Sequence, residues 1–192
     1  MQNSLNALIF SLCLSASATA QTDSVKSSLV ISGGGGLTYY VATPGLPLHL
    51  ETREKLFGKG VTGRLQWNPG HLLNVAVETG YMDFYSYSFD DPGAGKLKVT
   101  AIPLLLQWSM NFGKRLSVYA GSGTYFVRSE LDFDGIVRTS TVSLGWMLGL
   151  SYGIQTGRRT KLSAEAKWMY AAETEDAIIT TQFLFAWNIV EW

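Results

Sequence analysis

Cysteine is almost absent from this sequence, and charge is scarce. The one cysteine, Cys13, lies near the start of the 192-residue chain, so no disulfide forms within it and packing and hydrogen bonds must hold the fold. Charged residues make up 16% of the chain, below the roughly 25% of ordinary soluble proteins. The 15 basic and 15 acidic residues cancel, which removes the electrostatic case for nucleic acid as a partner.

Long hydrophobic runs are also missing after the first twenty residues. The longest obvious one, AIPLLL, is far shorter than the ~20 apolar residues that a membrane helix needs. A chain that spans a membrane without such a run must do so as strands.

The residues that catalysis and metal binding require are few. The two histidines are His49, in a long predicted loop, and His71, in a tight predicted turn at the other end of the strands. Neither lies beside a recognisable nucleophile motif, and they cannot readily share a site. With no cysteine after Cys13, the sequence also lacks the usual ligands of a transition-metal centre. We therefore predict no catalytic residue, no metal site and no cofactor.

Residues 1–20 differ from the rest of the chain. A polar start is followed by the apolar run ALIFSLCLS and by small residues that end in Ala18-Thr19-Ala20. This is the pattern of a signal peptide with a cleavage site before Gln21. The alternative, a buried first helix, is less consistent with the small residues. We predict a cleaved signal peptide, residues 1–20, and a single domain, residues 21–192.

The chain is rich in strict alternation between large apolar residues and small or polar ones. In TVSLGWMLGLSYGIQ, residues 141–155, the even positions are large, and most odd positions are Gly, Ser or Thr. Such alternation predicts a β-strand, because successive side chains point to opposite faces. With this segment, the following ones predict eight strands: SLVISGGGGLTYY, VTGRLQW, LNVAVETGYM, AIPLLLQWSM, LSVYAGSGTYF, KLSAEAKWMY and TTQFLFAWNI.

The connections between these segments are of two kinds. Short turns are predicted at Asn68 to His71, Gly113 to Arg115 and Gly157 to Arg159. Longer loops are predicted at Val41 to Gly60, Asp90 to Lys96, Asp132 to Arg138 and Glu173 to Asp176. Short turns at one end and longer loops at the other are typical of membrane barrels. The sequence therefore predicts an all-β fold, an eight-stranded antiparallel up-and-down transmembrane β-barrel.

Aromatic residues indicate which face of the barrel points outward. Membrane barrels place aromatics in girdles at two depths, whereas a soluble lipocalin-like barrel has no evident reason to sort its core aromatics in this way. On the large apolar face, near the short turns or the chain end, lie Trp67, Trp108, Tyr152 and Trp187; near the opposite strand ends lie Tyr39, Tyr81, Phe126, Trp146, Trp168 and Tyr170. We predict that these two groups are lipid-facing girdles.

The opposite face carries small residues and a few polar ones. An eight-stranded barrel is only wide enough to be filled by side chains, so this face is predicted to form a plugged lumen. Its predicted polar network consists of Arg64, Glu78, Gln107, Glu165 and Lys167. The four charged members form either a gate for solutes or a network that merely fills the lumen, and we favour the second because buried charges must be paired whatever the function.

Two local features carry a resemblance to a known family. The segment AIPLLLQW, residues 101–108, and the terminal aromatic Trp192 are similar to those of the small outer-membrane β-barrels typified by outer-membrane proteins A and X. The resemblance covers nearly all of residues 25–192. It implies location in the outer membrane of a Gram-negative bacterium and recognition of the last strand by the outer-membrane assembly machinery. Trp192 is out of phase with Trp187, so either a bulge near the end or a weakened signal is expected.

These features favour a non-enzymatic barrel, a monomer in outer-membrane lipid, with a structural role or with loops that contact extracellular partners. A narrow conduit for small or apolar solutes is the first alternative. A lipid-modifying enzyme is disfavoured by the missing catalytic residues, and a soluble periplasmic lipocalin by the aromatic pattern. The sequence alone does not select the partner, because barrel folds host many activities.

Overall fold

The computed structural model describes residues 26–41, 52–89, 95–132 and 135–192. The predicted signal peptide, His49 and parts of three predicted loops lie outside these residues. The strands are β1 (Ser28–Tyr40), β2 (Thr52–Lys55), β3 (Phe57–Asn68), β4 (Leu73–Phe89), β5 (Gly95–Phe112), β6 (Leu116–Asp132), β7 (Ile136–Gln155), β8 (Thr160–Ala171) and β9 (Asp176–Glu191). Within the described ranges no helix has the length and apolar character needed to cross a bilayer.

The strands form one closed antiparallel ring. Its order is β1, β3, β4, β5, β6, β7, β8 and β9, and β9 pairs again with β1. The short β2 continues β3 beyond Leu56, and both pair with β4. The ring thus has eight members joined in chain order, which confirms the predicted up-and-down barrel.

The strands are strongly staggered around the ring. Following the paired residues from Val30 on β1 through every strand leads back to β1 at Tyr40, ten positions further along. Such a stagger requires the strands to tilt against the barrel axis. The tilt brings together, across the lumen, side chains that are far apart in sequence.

The two faces of each strand differ sharply in exposure. On β7, Leu148 is 55% exposed, whereas Met147 and Ser151 are buried. The same alternation recurs along β8, where Trp168 is exposed and Lys167 is buried. The barrel is therefore apolar on its outside and lined inside by small, polar and some large apolar side chains.

The short turns lie at one end of the barrel, here called the turn end, and the opposite end is the loop end. Gly70 (φ 82°) and Gly113 (φ 69°) adopt left-handed conformations in the first two turns, as the turn at Asn68 to His71 requires of a glycine at its third position.

The loops of the structure are shorter than the predicted loops. Thr52–Lys55 and residues 57–60 are strand, residues 95 and 96 belong to β5, residues 136–138 to β7, and Asp176 begins β9. The reason is mutual pairing: Gly95 faces Phe89, and Asp132 faces Ile136. Backbone hydrogen bonds to a neighbouring strand extend each hairpin beyond the point where the sequence stops alternating regularly.

At the loop end, strands β4 to β7, with the short β2 paired to β4, extend beyond the ends of the other strands. The last residue of β8, Ala171, pairs with Gly145, and beyond it β7 continues for residues 136–144. On that side no described strand pairs with residues 136–143. We use the name raised sheet for the parts of β4 to β7 on the loop side of the Gly145–Ala171 pair. Its open edge is residues 136–143.

The last strand contains the irregularity expected near its end. The β1–β9 register shifts where Leu29 faces Val190 and Val30 faces Asn188, so Ile189 is bulged. One extra residue reverses the alternation and brings Trp192, which is 63% exposed, into phase with Trp187.

Candidate functional site in the barrel lumen

A cluster of four charged side chains lies at mid-height in the lumen. Arg64 donates from Nε and Nη2 to Oε2 of Glu78, at 3.0 and 2.7 Å. It also donates from Nη1 and Nη2 to the two carboxylate oxygens of Glu165, at 2.9 and 2.8 Å. The Lys167 ammonium donates to Oε1 of Glu78 at 2.5 Å. Two cations and two anions, all buried, therefore neutralise each other.

Neutral side chains complete this charge cluster. Gln107 donates to Oε2 of Glu78 at 2.6 Å, and Lys167 also donates to the Thr62 hydroxyl at 3.3 Å. Thr62 donates to Gln182, whose amide donates to Glu165 at 3.3 Å. A buried charge costs several kcal/mol unless it is paired and hydrogen-bonded, and here the charged groups have several partners each.

Tyr119 is a member of the cluster that was not predicted. Its hydroxyl donates to Oε2 of Glu165 at 2.9 Å, and its ring lies 4.9 Å from the Arg64 guanidinium carbon. The ring crosses the lumen over Gly149, where an added Cβ would lie 2.3 Å from Cζ of Tyr119. The available signal was an aromatic residue at an inward position of β6 that faces a glycine, Gly149, on the next strand.

Between the charge cluster and the loop end the lumen is filled by apolar side chains. Met82, Leu105, Tyr125, Met169 and Ile178 are each at most 1% exposed and belong to one continuous core. At its loop end the Tyr40 hydroxyl donates to Asp176 at 2.8 Å. We call this the apolar half. The sequence pattern predicts mainly small residues and charges in the lumen, so this packed apolar core is a difference between the structure and the prediction.

Between the charge cluster and the turn end the lumen is polar and open. A cavity of about 350 Å³ lies there, and we call it the turn-side cavity. Its walls are mostly hydroxyl and amide side chains, and Arg64, Tyr119 and Glu165 form its floor. The lumen thus changes from polar and spacious to apolar and packed at the level of the charge cluster.

The aromatics predicted as girdles lie on the outside of the barrel. Near the turn end, Trp67, Trp108, Tyr152 and Trp187 are exposed. At the other strand ends, Tyr39, Tyr81, Phe126, Trp146 and Trp168 are exposed, and Tyr170 is half-buried. Tyr170 stacks on Trp146 and Trp168, with ring centroids 5.2 and 5.9 Å apart. Their contact with lipid stays a prediction.

In the described part of the chain, no group of three or more His, Cys, Asp or Glu side chains is placed to hold a metal ion. His71 lies in the turn between β3 and β4, at the opposite end of the barrel from the raised sheet.

The family model described as outer membrane protein beta-barrel domain matches residues 7–186. The crystal structure of Ail, the attachment invasion locus protein of Yersinia pestis, is similar with a TM-score of 0.52 and 13% identity, over 86% of this chain and 99% of that one. Ail in complex with the heparin analogue sucrose octasulfate gives a TM-score of 0.51 and 12% identity, over 85% and 97%. No curated protein sequence matches the chain.

Proposed function

Because the chain belongs to the outer membrane protein β-barrel family, we propose that it is a non-enzymatic protein that binds other molecules through its raised sheet. The family places it in the outer membrane of a Gram-negative bacterium. Short turns face the periplasm in such barrels, and the longer connections face outward. The raised sheet is therefore extracellular.

The closed lumen supports binding rather than transport. The charge cluster and the apolar half fill the barrel between the turn-side cavity and the loop end. Moving a solute through would require breaking buried ion pairs and displacing close-packed side chains such as Met82 and Leu105.

The raised sheet has an unpaired edge beside a groove that carries cations. The backbone N–H of Leu144 points toward β8, where it donates to Glu173, and its carbonyl accepts from Ala172. Because such groups alternate along a strand, the backbone groups of Arg138, Ser140 and Val142 point to the same side. No described strand forms hydrogen bonds with these N–H and C=O groups on the loop side of Leu144. An extended segment of another molecule can add to such an edge.

Three cations lie in a groove on the outward face of the raised sheet, beside this edge. Lys98 pairs with Asp83 at 2.9 Å, and Arg138 pairs with Glu130 at 3.3 Å. The hydrogen bond to Asp83 raises the pKa of the Lys98 ammonium above its ordinary value. Arg128 lines the same shallow groove and has no acidic partner among the described residues. The groove therefore offers one uncommitted guanidinium to an anionic partner, and this guanidinium is the observation that carries the proposal.

A sulfated polysaccharide is a suitable first probe. Ail, whose fold is similar, has been crystallised with a heparin analogue, and an anionic polymer matches the uncommitted charge of Arg128. Ion pairing with sulfate is charge-assisted and favours arginine.

The test is salt elution of the barrel, embedded in nanodiscs, from immobilised heparin. We expect wild type to bind and Arg128→Gln to elute at clearly lower salt. Lys114→Gln, a surface cation of the β5–β6 turn at the other end of the barrel, is the matched control and should elute with wild type. Equal elution of wild type and Arg128→Gln would overturn the assignment of this groove.

The two other functions have direct tests. Single-channel recording of the folded barrel in a planar bilayer should show no discrete openings, and reproducible openings would favour the conduit. Turnover of added phospholipid by the folded barrel would revive the lipid-modifying enzyme. We also propose that the barrel is a monomer and that the strand ending at Trp192 engages the assembly machinery.

A further inference from the structure

The lining of the turn-side cavity lies between the charge cluster and the turn end, and the turn end faces the periplasm in barrels of this kind. The charge cluster closes its inner end, and the apolar half lies beyond. Its walls combine many groups that both donate and accept hydrogen bonds; among them are Ser109, Asn111, Ser117, Gln155 and Ser163. A volume of about 350 Å³ falls within the range of small-molecule sites.

Cations outnumber available anions in this cavity. Its charged lining consists of Arg64, Arg158, Arg159, Lys161, Glu165 and Glu191. Glu165 is already bound by Arg64, Tyr119 and Gln182, and Glu191 accepts from Asn188. Arg64 is itself committed to Glu78 and Glu165. The remaining three cations have no carboxylate partner within the part of the chain that the structure describes.

Lys161 is the inner one of these three. Its stem lies across Gly153, where an added Cβ would be 1.8 Å from Cε of Lys161, so the side chain is directed into the lumen. The ammonium is influenced by the charge of Glu165, but it forms no hydrogen bond or ion pair with any described residue. A half-buried ammonium without a contacting partner is suited to an anionic ligand.

Arg158 and Arg159 stand at the mouth, in the turn between β7 and β8. This turn is well fixed: the N–H groups of Thr156 and Gly157 donate to the Thr160 carbonyl at 3.0 and 3.2 Å, and the Arg159 carbonyl accepts from Asn188 on β9 at 2.8 Å. The fixed backbone of this turn therefore places two exposed arginines in the lining of the cavity, close to Lys161 in the chain.

We propose that the turn-side cavity binds a small anionic sugar that enters from the periplasm. The phosphate or carboxylate of the ligand pairs with Lys161 and with the arginines at the mouth. The hydroxyl groups of the ligand exchange hydrogen bonds with the serine and amide side chains of the walls. Both parts are needed, because the cations supply charge and the walls supply the complementary polar surface.

The test is calorimetric titration of the nanodisc-embedded barrel with glucose 6-phosphate, with glucose and with inorganic phosphate. We expect one glucose 6-phosphate per barrel, phosphate at least tenfold weaker, and no detectable heat from glucose. Lys161→Gln should weaken glucose 6-phosphate by tenfold or more, whereas Lys161→Arg should retain most of the affinity.

Lys114→Gln, in a neighbouring turn but outside the cavity lining, is the control and should bind as wild type does. Heat-modifiable gel mobility establishes that each variant is folded. Absence of binding in wild type, or equal affinity in wild type and folded Lys161→Gln, would overturn the proposal. Inorganic phosphate binding as tightly as glucose 6-phosphate would overturn the sugar as the ligand class.

Discussion

The two halves of the lumen are built from the same eight strands, yet they differ in polarity and in packing. In the apolar half, side chains such as Leu105 and Met169 meet in a packed core. Toward the turn end, serines and amides line a cavity instead. The charge cluster lies at the boundary, where its cations and carboxylates pair. The contrast shows that one half is packed and the other contains a polar recess toward the turn end.

Removing a carboxylate at the boundary should have the largest effect. Glu78→Gln leaves Arg64 short of one carboxylate and Lys167 without any ion pair, and breaking a buried pair from one side costs about 3–5 kcal/mol. Urea unfolding of the barrel in detergent micelles measures the change. Glu130→Gln, which breaks an exposed pair, should cost at most about 1 kcal/mol. Similar losses for the two variants would show that the cluster is not a structural boundary.

Cavity formation should distinguish the two halves directly. Leu105→Ala in the apolar half should lower the free energy of unfolding by about 2–5 kcal/mol, because a buried aliphatic side chain is lost and a cavity remains. Ser163→Ala, on the wall of the turn-side cavity, should cost about 1 kcal/mol, the worth of one hydrogen bond. The same unfolding assay applies, and a larger loss for Ser163→Ala would reverse the assignment of the two halves.

One substitution placed on both sides of the barrel wall tests the facing of the strands. Leu148→Arg puts a charge on the apolar outside and should destabilise the inserted barrel by about 2–4 kcal/mol if the residue lies near the bilayer midplane. Ser151→Arg points into the polar recess and should cost clearly less. Equal costs in lipid vesicles would contradict the facing.

The smallest expected effect is at the loop end, where Glu173 bonds to the Leu144 N–H beside the open edge. Hydrogen bonds from Ser143 and Leu144 hold the pKa of the Glu173 carboxyl below its ordinary value. The bond is therefore present above the ordinary pKa of a glutamate carboxyl, and it is lost as the pH falls through the lowered pKa.

Hydrogen exchange reads out this bond. At neutral pH, Glu173→Gln should make the Leu144 amide exchange about twofold to tenfold faster, as expected for one net hydrogen bond. The exchange rate of the Gly149 amide, on β7 between β6 and β8, should be unchanged. An unaltered Leu144 rate would show that the carboxylate does not protect this edge.

The alternating pattern of residues made much of the barrel predictable. In β7, large side chains at even positions and small ones at odd positions predicted the strand and its two faces. Pro69 and Gly70 predicted the turn at Asn68 to His71. The raised sheet was missed because its strands continue through pairing with one another, as at Lys96 and Asp132. Local sequence carries little sign of that pairing.

The partners inside the lumen were less accessible to sequence reasoning. The positions of Arg64 and Glu165 indicated inward side chains, but these residues lie 101 positions apart in the chain. Their contact depends on how far the ring is staggered when it closes. The alternation of residues also predicted that Tyr119 and the inward methionines point into the lumen. It did not predict whether their surroundings there are polar or apolar.

The sequence by itself determined the number of strands in the ring, their order and the facing of most residues in the predicted strands, because these follow from a period of two and from short connections. Only the tertiary structure decided where the lumen closes, which charges pair and which cations stay uncommitted. These depend on the ten-position stagger and on packing across the barrel, because contacts between distant strands exist only after the ring has closed.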